Sequence, residues 1–194
     1  ESAGASGVSS APLVADLILT KQYREGCGRI YPAVGRTSGV MPPNGDDSGG
    51  GTDAPVEIER VDPADVGEVA DLWVDLAASQ RAHGSHILAE SNRDAVQSTL
   101  ARHAVAGGVY AARHDDEVVG FASVTLERGR YASDVTRGIV HNVYVVPGFR
   151  NDGIGSDLLD AAEAALDDAG ASTVALDAMA ANEPARRFYR RRGY

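Results

Sequence analysis

The stretch VYVVPGFRNDGIGS, residues 143–156, joins an apolar run to a glycine-rich turn and then to a helical pattern. Its β-branched residues predict a buried strand, which a Pro-Gly pair ends. From Ile154 onward, apolar residues recur at the spacing of one helix face. Glycines at positions 153 and 155 leave backbone N–H groups at the start of this helix open to an anion, and the helix dipole favours negative charge there. The stretch therefore predicts a strand, a turn and a helix that together bind a phosphate group.

The residues around this turn exclude two common kinds of phosphate site. A Walker loop needs a Lys and then a Ser or Thr after its last Gly, but the only Lys of the chain is Lys21. A dinucleotide fingerprint needs a small residue three positions after its second Gly, where this chain has Leu158, and too little sequence follows to build a Rossmann sheet. Nucleotide hydrolysis and binding of NAD or FAD are therefore not expected.

Two motifs together resemble the GNAT family of N-acetyltransferases. Arg150, Gly153 and Gly155 match the family's acyl-CoA signature, which is Arg or Gln, two residues, Gly, one residue, and Gly or Ala. The final residues, NEPARRFYRRRGY (182–194), match its second signature, Asn-x-x-Ala-x-x-aromatic-Tyr-x-x-x-Gly-aromatic. The motifs are most similar to those of the ribosomal-protein alanine acetyltransferases within this family.

Composition divides the chain into two regions. Residues 1–55 hold 10 of the 22 glycines and 5 of the 8 prolines, which predicts a flexible extension or linker. Within that region, the apolar run of residues 13–19 is compatible with a short helix or strand. It is a poor signal peptide and is too short to span a bilayer. Residues 56–194 carry the regular patterns of one folded domain.

The order of elements in residues 56–194 predicts the α/β GNAT fold, a mixed central sheet flanked by helices. Strands are expected at residues 56–61, 109–113, 118–127, 138–146 and 173–176. Helices are expected from Pro63, over residues 93–106, from Ile154, and over the final motif. Family members continue with two more strands that complete the sheet and close one side of the acceptor pocket. The resemblance therefore implies that the C-terminal strands are missing and that one sheet edge is open.

The resemblance implies acetyl-CoA as co-substrate and no metal. The backbone of Val143, Tyr144 and Val145 is expected to pair with the pantetheine arm, and Asn182 to hydrogen-bond the cofactor. The turn is expected to hold the pyrophosphate, through Arg150, Asn151, Asp152, Gly153, Ile154, Gly155 and Ser156. His83 and His86 do not predict a zinc site, because Gly84 separates them and no Cys or clear carboxylate partner lies nearby.

Three residues are candidates for the catalytic chemistry that the resemblance implies. Tyr189 matches the family's catalytic tyrosine, a phenol that donates to the CoA sulfur; its alternative role is core packing beside Phe188. Asp177 lies five residues before Asn182, where the ribosomal-protein enzymes carry a Glu, and as a base it would act through a water. His141 is the rival base, because it lies in the strand that enters the cofactor motif and a histidine titrates near neutral pH. The choice between these two bases stays open.

Charge and cysteine content restrict the partners. The net charge is −10, which argues against binding of duplex DNA. The arginines of residues 186–192 are explained by the dipole of the last helix. A single Cys fits a reducing cytoplasm, and 17 Arg against one Lys fits an acidic, salt-adapted proteome. No membrane partner is expected, and a homodimer remains open.

The resemblance thus implies an N-acetyltransferase that moves an acetyl group from acetyl-CoA to a primary amine by direct attack in a ternary complex. The acceptor is a protein N-terminus or a small-molecule amine, and residues 80–90 are expected to help shape its site. The alternative from another functional class is a non-catalytic acyl-CoA-binding module that acts as a sensor.

Overall fold

The computed structural model describes residues 16–22, 55–127 and 134–194. One mixed sheet of six strands forms the centre of the fold, in the order β1-β6-β5-β4-β3-β2. Only the β5–β6 pair is parallel. The strands are β1 (Asp16–Gln22), β2 (Glu57–Arg60), β3 (Val109–His114), β4 (Glu117–Glu127), β5 (Arg137–Val145) and β6 (Thr173–Met179).

In the described part of the chain, four α-helices cover the two faces of the sheet. They are α1 (Val66–Gln80), α2 (Arg93–Val105), α3 (Ile154–Asp168) and α4 (Glu183–Arg191). One hydrophobic core joins α1 and α2 to the sheet, and a second joins α3 and Tyr189 of α4 to its other face. Neighbouring residues of β4 serve different cores, Phe121 the first and Ala122 the second, because successive side chains of a strand point to opposite faces.

The α/β class and the order of elements in residues 56–194 are confirmed. Most boundaries lie within a few residues of the predicted ones, and α1 is the clearest shift, since it begins at Val66 and not at Pro63. Asp62 explains the delay, because its side-chain Oδ1 accepts from the Ala64 N–H at 2.9 Å and its carbonyl accepts from the Asp65 N–H at 2.9 Å. These bonds form a tight turn that competes with helix for the same backbone groups.

Strand β1 corrects two expectations. Residues 16–22 belong to the region expected to be a flexible extension, yet they pair antiparallel with β6 from Asp16↔Met179 to Gln22↔Thr173. The edge of β6 that was expected to be open is therefore paired. The remaining residues of the 1–54 segment lie outside the described part of the chain.

Strands β5 and β6 separate halfway along their length, and this separation positions the site. Their parallel pairing runs from Arg137↔Thr173 to Val140↔Leu176 and stops there. A register shift against β4 lies at the same level, because Ser123 pairs with Asn142 whereas Val124 pairs with Val140. His141 is thus the extra residue of a β-bulge, a feature that bends a strand and redirects a side chain.

Candidate active site

A cavity of about 650 Å³ lies where β5 and β6 separate. Its walls come from α1, the loop after α1, the diverging ends of β5 and β6, and the start of α4. The lining residues are Trp73, Leu76, Gln80, Gly84, Ser85, His86, Ile87, His141, Asn142, Val143, Asp177, Ala178, Met179, Asn182, Ala185 and Tyr189. Its size is typical of a site for a small molecule.

The turn between β5 and α3 presents free backbone donors. Within the described residues, the amides of residues 151–155 donate to no protein acceptor, and the first bonds of α3 run from Ser156 and Asp157 to the Gly153 carbonyl at 2.8 and 3.1 Å. Gly153 has a φ of 88°, and a Cβ added to it would meet nothing within 4 Å. Gly155 has no such backbone requirement, and a Cβ there would make ordinary contacts with Val145 and Phe188. This turn, the predicted anion cradle, therefore has the unpaired N–H donors and the open space that such a site requires.

Arg150 and the end of β5 form the strand side of this turn. The Arg150 Nε donates to the Val145 carbonyl at 2.8 Å, and its guanidinium carbon lies 5.5 Å from the centre of the Tyr144 ring. On one side, residues 143–145 pair with β4; on the other, the described part of β6 offers them no partner. This second edge of β5 is available for hydrogen bonds to a ligand, and Val143 also lines the cavity.

Asn182 lines the cavity and also forms a hydrogen bond that stabilises the start of a helix. Its Oδ1 accepts from the Ala185 N–H at 3.2 Å, which caps the start of α4. The capping bond uses only the side-chain oxygen. The amide nitrogen Nδ2 remains as a donor, and the described residues supply no acceptor for it.

Tyr189 combines core packing with access to the cavity. Its side chain is 9% exposed, its ring contacts Phe188 and Tyr194, and it lines the cavity together with Ala185 one turn earlier. Tyr189 is the more deeply buried of the two adjacent aromatic residues of α4, and Phe188 is only partly buried. Burial raises the pKa of Tyr189 to about 12. The phenol therefore keeps its proton at neutral pH and is a hydrogen-bond donor.

His141 contacts two side chains on the α2 side of the sheet. Its Nε2 lies 2.7 Å from the Thr125 Oγ1, and its ring stacks on His103 with 5.1 Å between ring centres. The surrounding protein atoms disfavour the charged form and lower its pKa, while the carboxylate of Asp177 acts in the opposite direction. The His103 pKa is also lowered, chiefly by burial and then by the charges of His141 and Arg102. The two residues predicted as rival bases, His141 and Asp177, thus lie in one cavity, and the Asp177 carboxylate acts on the pKa of His141.

The sequence reasoning missed several residues of this site. It predicted a contribution from residues 80–90, and Gln80, Ser85 and Ile87 do line the cavity. It gave no role in the site to Trp73, Thr125 or His103. The helical spacing of Trp73 fits a core position equally well, so the sequence held no signal that distinguishes the two roles.

The remaining features of the described residues do not indicate a second functional site. Arg186 pairs with Glu183, and Arg192 pairs with Asp160, so at least two of the arginines near the C-terminus have carboxylate partners. Over the ranges that the structure describes, no group of three or more His, Cys, Asp or Glu side chains is placed to hold a metal ion. None of the helices in those same ranges is long and apolar enough to cross a membrane.

Comparison with known proteins identifies the family. The sequence profile of the acetyltransferase (GNAT) family matches residues 79–194, so the chain belongs to that family. No curated protein sequence is similar enough to count as a match. The chain is thus an acyl-CoA-dependent acetyltransferase whose co-substrate is acetyl-CoA.

Solved structures share the fold at low sequence identity. A GCN5-related N-acetyltransferase from Ralstonia eutropha JMP134 superposes with a TM-score of 0.60 at 22% identity, over 72% of this chain and 92% of that chain. The PaiA N-acetyltransferase from Thermoplasma acidophilum, in complex with coenzyme A, gives 0.58 at 17% identity, over 71% and 88%. An aminoglycoside acetyltransferase from an uncultured soil metagenomic sample, in complex with sisomicin, gives 0.53 at 19% identity, over 70% and 85%.

Proposed function

We propose that the protein transfers an acetyl group from acetyl-CoA to a primary amine that binds in the cavity between β5, β6, α1 and α4. The main support is that His141, Asp177 and Tyr189, which come from three separate elements, line this one cavity. Acetyl-CoA, when bound, supplies the activated acetyl group. The acceptor is the amine of a protein N-terminus or of a small molecule.

The residues beside the cavity fit this co-substrate. The unpaired amides of residues 151–155 would hold the pyrophosphate, since oriented N–H groups at a helix start favour anions. The free edge of β5 at residues 143–145 would pair with the pantetheine arm. Arg150 supports the turn through its bond to Val145, and Asn182 offers its Nδ2 to the cofactor.

His141 is the base that we favour. An ammonium must lose a proton before its nitrogen can attack, and His141 accepts one because its lowered pKa keeps the ring neutral near pH 7. With Nε2 donating to the Thr125 hydroxyl, Nδ1 carries the lone pair that takes this proton. Asp177 would attract the ammonium and stabilise the imidazolium. In the alternative assignment, Asp177 itself takes the proton through a water.

Tyr189 supplies the acid. Its phenol is protonated at neutral pH because burial raises its pKa to about 12. A group of this kind stabilises charge that develops on a leaving thiolate, first by a hydrogen bond and then by proton transfer. Core packing and this role are compatible, because the residue reaches both the core and the cavity wall.

The direct test is release of free CoA thiol when the protein is mixed with acetyl-CoA and a panel of primary amines. Tyr189→Phe is expected to lower kcat about 100-fold while the affinity for acetyl-CoA stays the same. Tyr110→Phe is the matched control, because Tyr110 lies in β3 and does not line the cavity. Gly153→Glu, which places a carboxylate in the cradle, should abolish acetyl-CoA binding in a calorimetric titration. Thiol release from no amine, with acetyl-CoA binding intact, would contradict the proposed function.

The finer resemblance to ribosomal-protein alanine acetyltransferases rests on Asp177, Asn182 and Tyr189. It predicts that a peptide with an N-terminal alanine is a better acceptor than free alanine. Equal rates for the two would leave the acetyltransferase function in place and contradict the finer assignment.

A further inference from the structure

The cavity carries one fixed charge. Among its lining residues, which all lie in the described part of the chain, Asp177 is the only carboxylate and no Lys or Arg is present. The other polar groups are neutral amides, two hydroxyls, an indole N–H and two histidines, from Gln80, Asn142, Asn182, Ser85, Tyr189, Trp73, His86 and His141. The site therefore offers one partner for one cation and no cationic side chain for an anion.

The cavity also has an apolar wall, which comes mainly from α1 and the loop that follows it. Trp73 and Leu76 of α1, Ile87 of the loop and Met179 of β6 give the cavity large apolar surfaces. Ile87 is 44% exposed although it is a large aliphatic residue, so its side chain is only partly buried in this structure. A ligand that covers these apolar surfaces removes them from water, which favours binding.

The single negative charge and the apolar surfaces together select a class of acceptor amine. A carboxylate next to the reacting amine would enter a cavity whose only fixed charge among the described lining residues is also negative. Arg81 donates to the Ile87 carbonyl at 3.5 Å but does not itself line the cavity. The second and third ammonium groups of a polyamine or aminoglycoside would find no further carboxylate. On the basis of the proposed function, we infer that the acceptor is a monocationic primary amine that carries an apolar group and has no carboxylate on its amine-bearing carbon.

An arylalkylamine and the N-terminal residue of a peptide both have this chemistry. The experiment therefore compares 2-phenylethylamine, phenylalanine amide, a tetrapeptide with N-terminal phenylalanine, free phenylalanine and spermidine at saturating acetyl-CoA. Rates are normalised to the unprotonated fraction of each amine, because the amines differ in their own pKa. Phenylalanine and its amide differ only in the carboxylate, so this pair isolates the charge.

The expected result is a kcat/KM for phenylethylamine and phenylalanine amide at least about tenfold above those for phenylalanine and spermidine. The rate with the tetrapeptide distinguishes a peptide N-terminus from a small arylalkylamine as the acceptor. A rate near that of the amide indicates a peptide N-terminus, and a rate far below it indicates a small amine.

A gain-of-function variant makes the test independent of failed folding. Gln80→Arg places a cation in the cavity wall and should raise the ratio of activity on phenylalanine to activity on its amide. Ser79→Arg is the matched control, because Ser79 is the preceding residue of α1 but is exposed and does not line the cavity.

Two outcomes would overturn the inference and can be told apart. If phenylalanine or spermidine is acetylated as fast as phenylalanine amide, the acceptor class is wrong but the protein is still an N-acetyltransferase. If none of the five amines is acetylated while acetyl-CoA binds, the inference is overturned, and thiol release with the wider panel of primary amines decides whether the proposed function fails as well.

Discussion

The ammonium of Lys21 in β1 lies 2.8 Å from the Glu163 Oε2 in α3, and the Glu163 side chain is 1% exposed. The Tyr194 hydroxyl donates to the other oxygen of the same carboxylate at 2.9 Å. The Lys21 ammonium also lies 5.6 Å from the centre of the Tyr194 ring. A carboxylate this deeply buried needs such partners, because the loss of hydration is costly. The pair therefore ties β1 to the helix that begins at the phosphate-binding turn.

Lys21→Met is expected to destabilise the protein by about 2 to 3 kcal/mol, because it removes the Lys21 ammonium from a buried carboxylate. Chemical unfolding in urea measures this change. The double variant with Glu163→Gln should recover about 1 kcal/mol or more, since it also removes the buried charge. Arg137→Gln is the control: its partner is Glu127, both side chains are about half exposed, and the expected cost is below about 1 kcal/mol. Equal losses for the two single variants would show that Lys21 forms only an ordinary surface pair.

A second prediction compares two glycines on the same loop. Gly153 has a φ of 88°, so Gly153→Ala should cost about 1 to 2 kcal/mol and should distort the cradle. Gly148 has no positive φ, and an added Cβ there would meet nothing within 4 Å, so Gly148→Ala should be neutral or slightly stabilising. Urea unfolding and acetyl-CoA titration check both effects. Loss of acetyl-CoA affinity in both variants alike would argue against a special role for residue 153.

A third prediction concerns the titration of His141. Its pKa should lie below 6.5, because the surrounding protein disfavours the imidazolium. Asp177 raises that pKa, so Asp177→Asn should lower it further, and the acidic limb of the kcat profile should move to lower pH with it. NMR titration of the histidine ring protons measures the shift, and His141→Gln assigns the signal. Asp94→Asn, on exposed α2 surface, should leave the signal in place. An upward shift in Asp177→Asn would mean that the two side chains are not coupled as described.

The turn between β5 and α3 could be predicted from sequence because its signal is local. A strand, a Pro-Gly stop, two spaced glycines and a helical pattern lie within residues 143–166, and each has a conformational reason of its own. The helix over the final motif was also predicted, whereas Asn182 was expected to hydrogen-bond the cofactor and its role as the cap of α4 was not predicted.

The apolar run of residues 13–19 was compatible with a helix or a strand, but the pairing of β1 with β6 could not be predicted, because the two strands are distant in sequence. Lys21 and Glu163 are 142 positions apart, and the surrounding composition of residues 1–55 favours a flexible chain. The contacts of His141 could not be predicted from the sequence for a similar reason. Its contacts with Thr125 and His103 depend on a bulge between β4 and β5, and a bulge leaves no clear mark in a single sequence.

The last prediction links His103 and His141 to stability. Both have a pKa below 6.5 in the folded protein, so the unfolded chain binds more protons as the pH falls through 6.5. Stability is therefore fully present above about pH 6.5 and falls as the pH drops from there toward the folded-state pKa values. Urea unfolding at pH 8 and at pH 5.5 should show this loss in the wild type. His103→Gln should reduce the loss, because it removes one of the two groups and the repulsion between them. A variant whose stability falls as steeply as that of the wild type would show that the stacked pair does not carry the pH dependence.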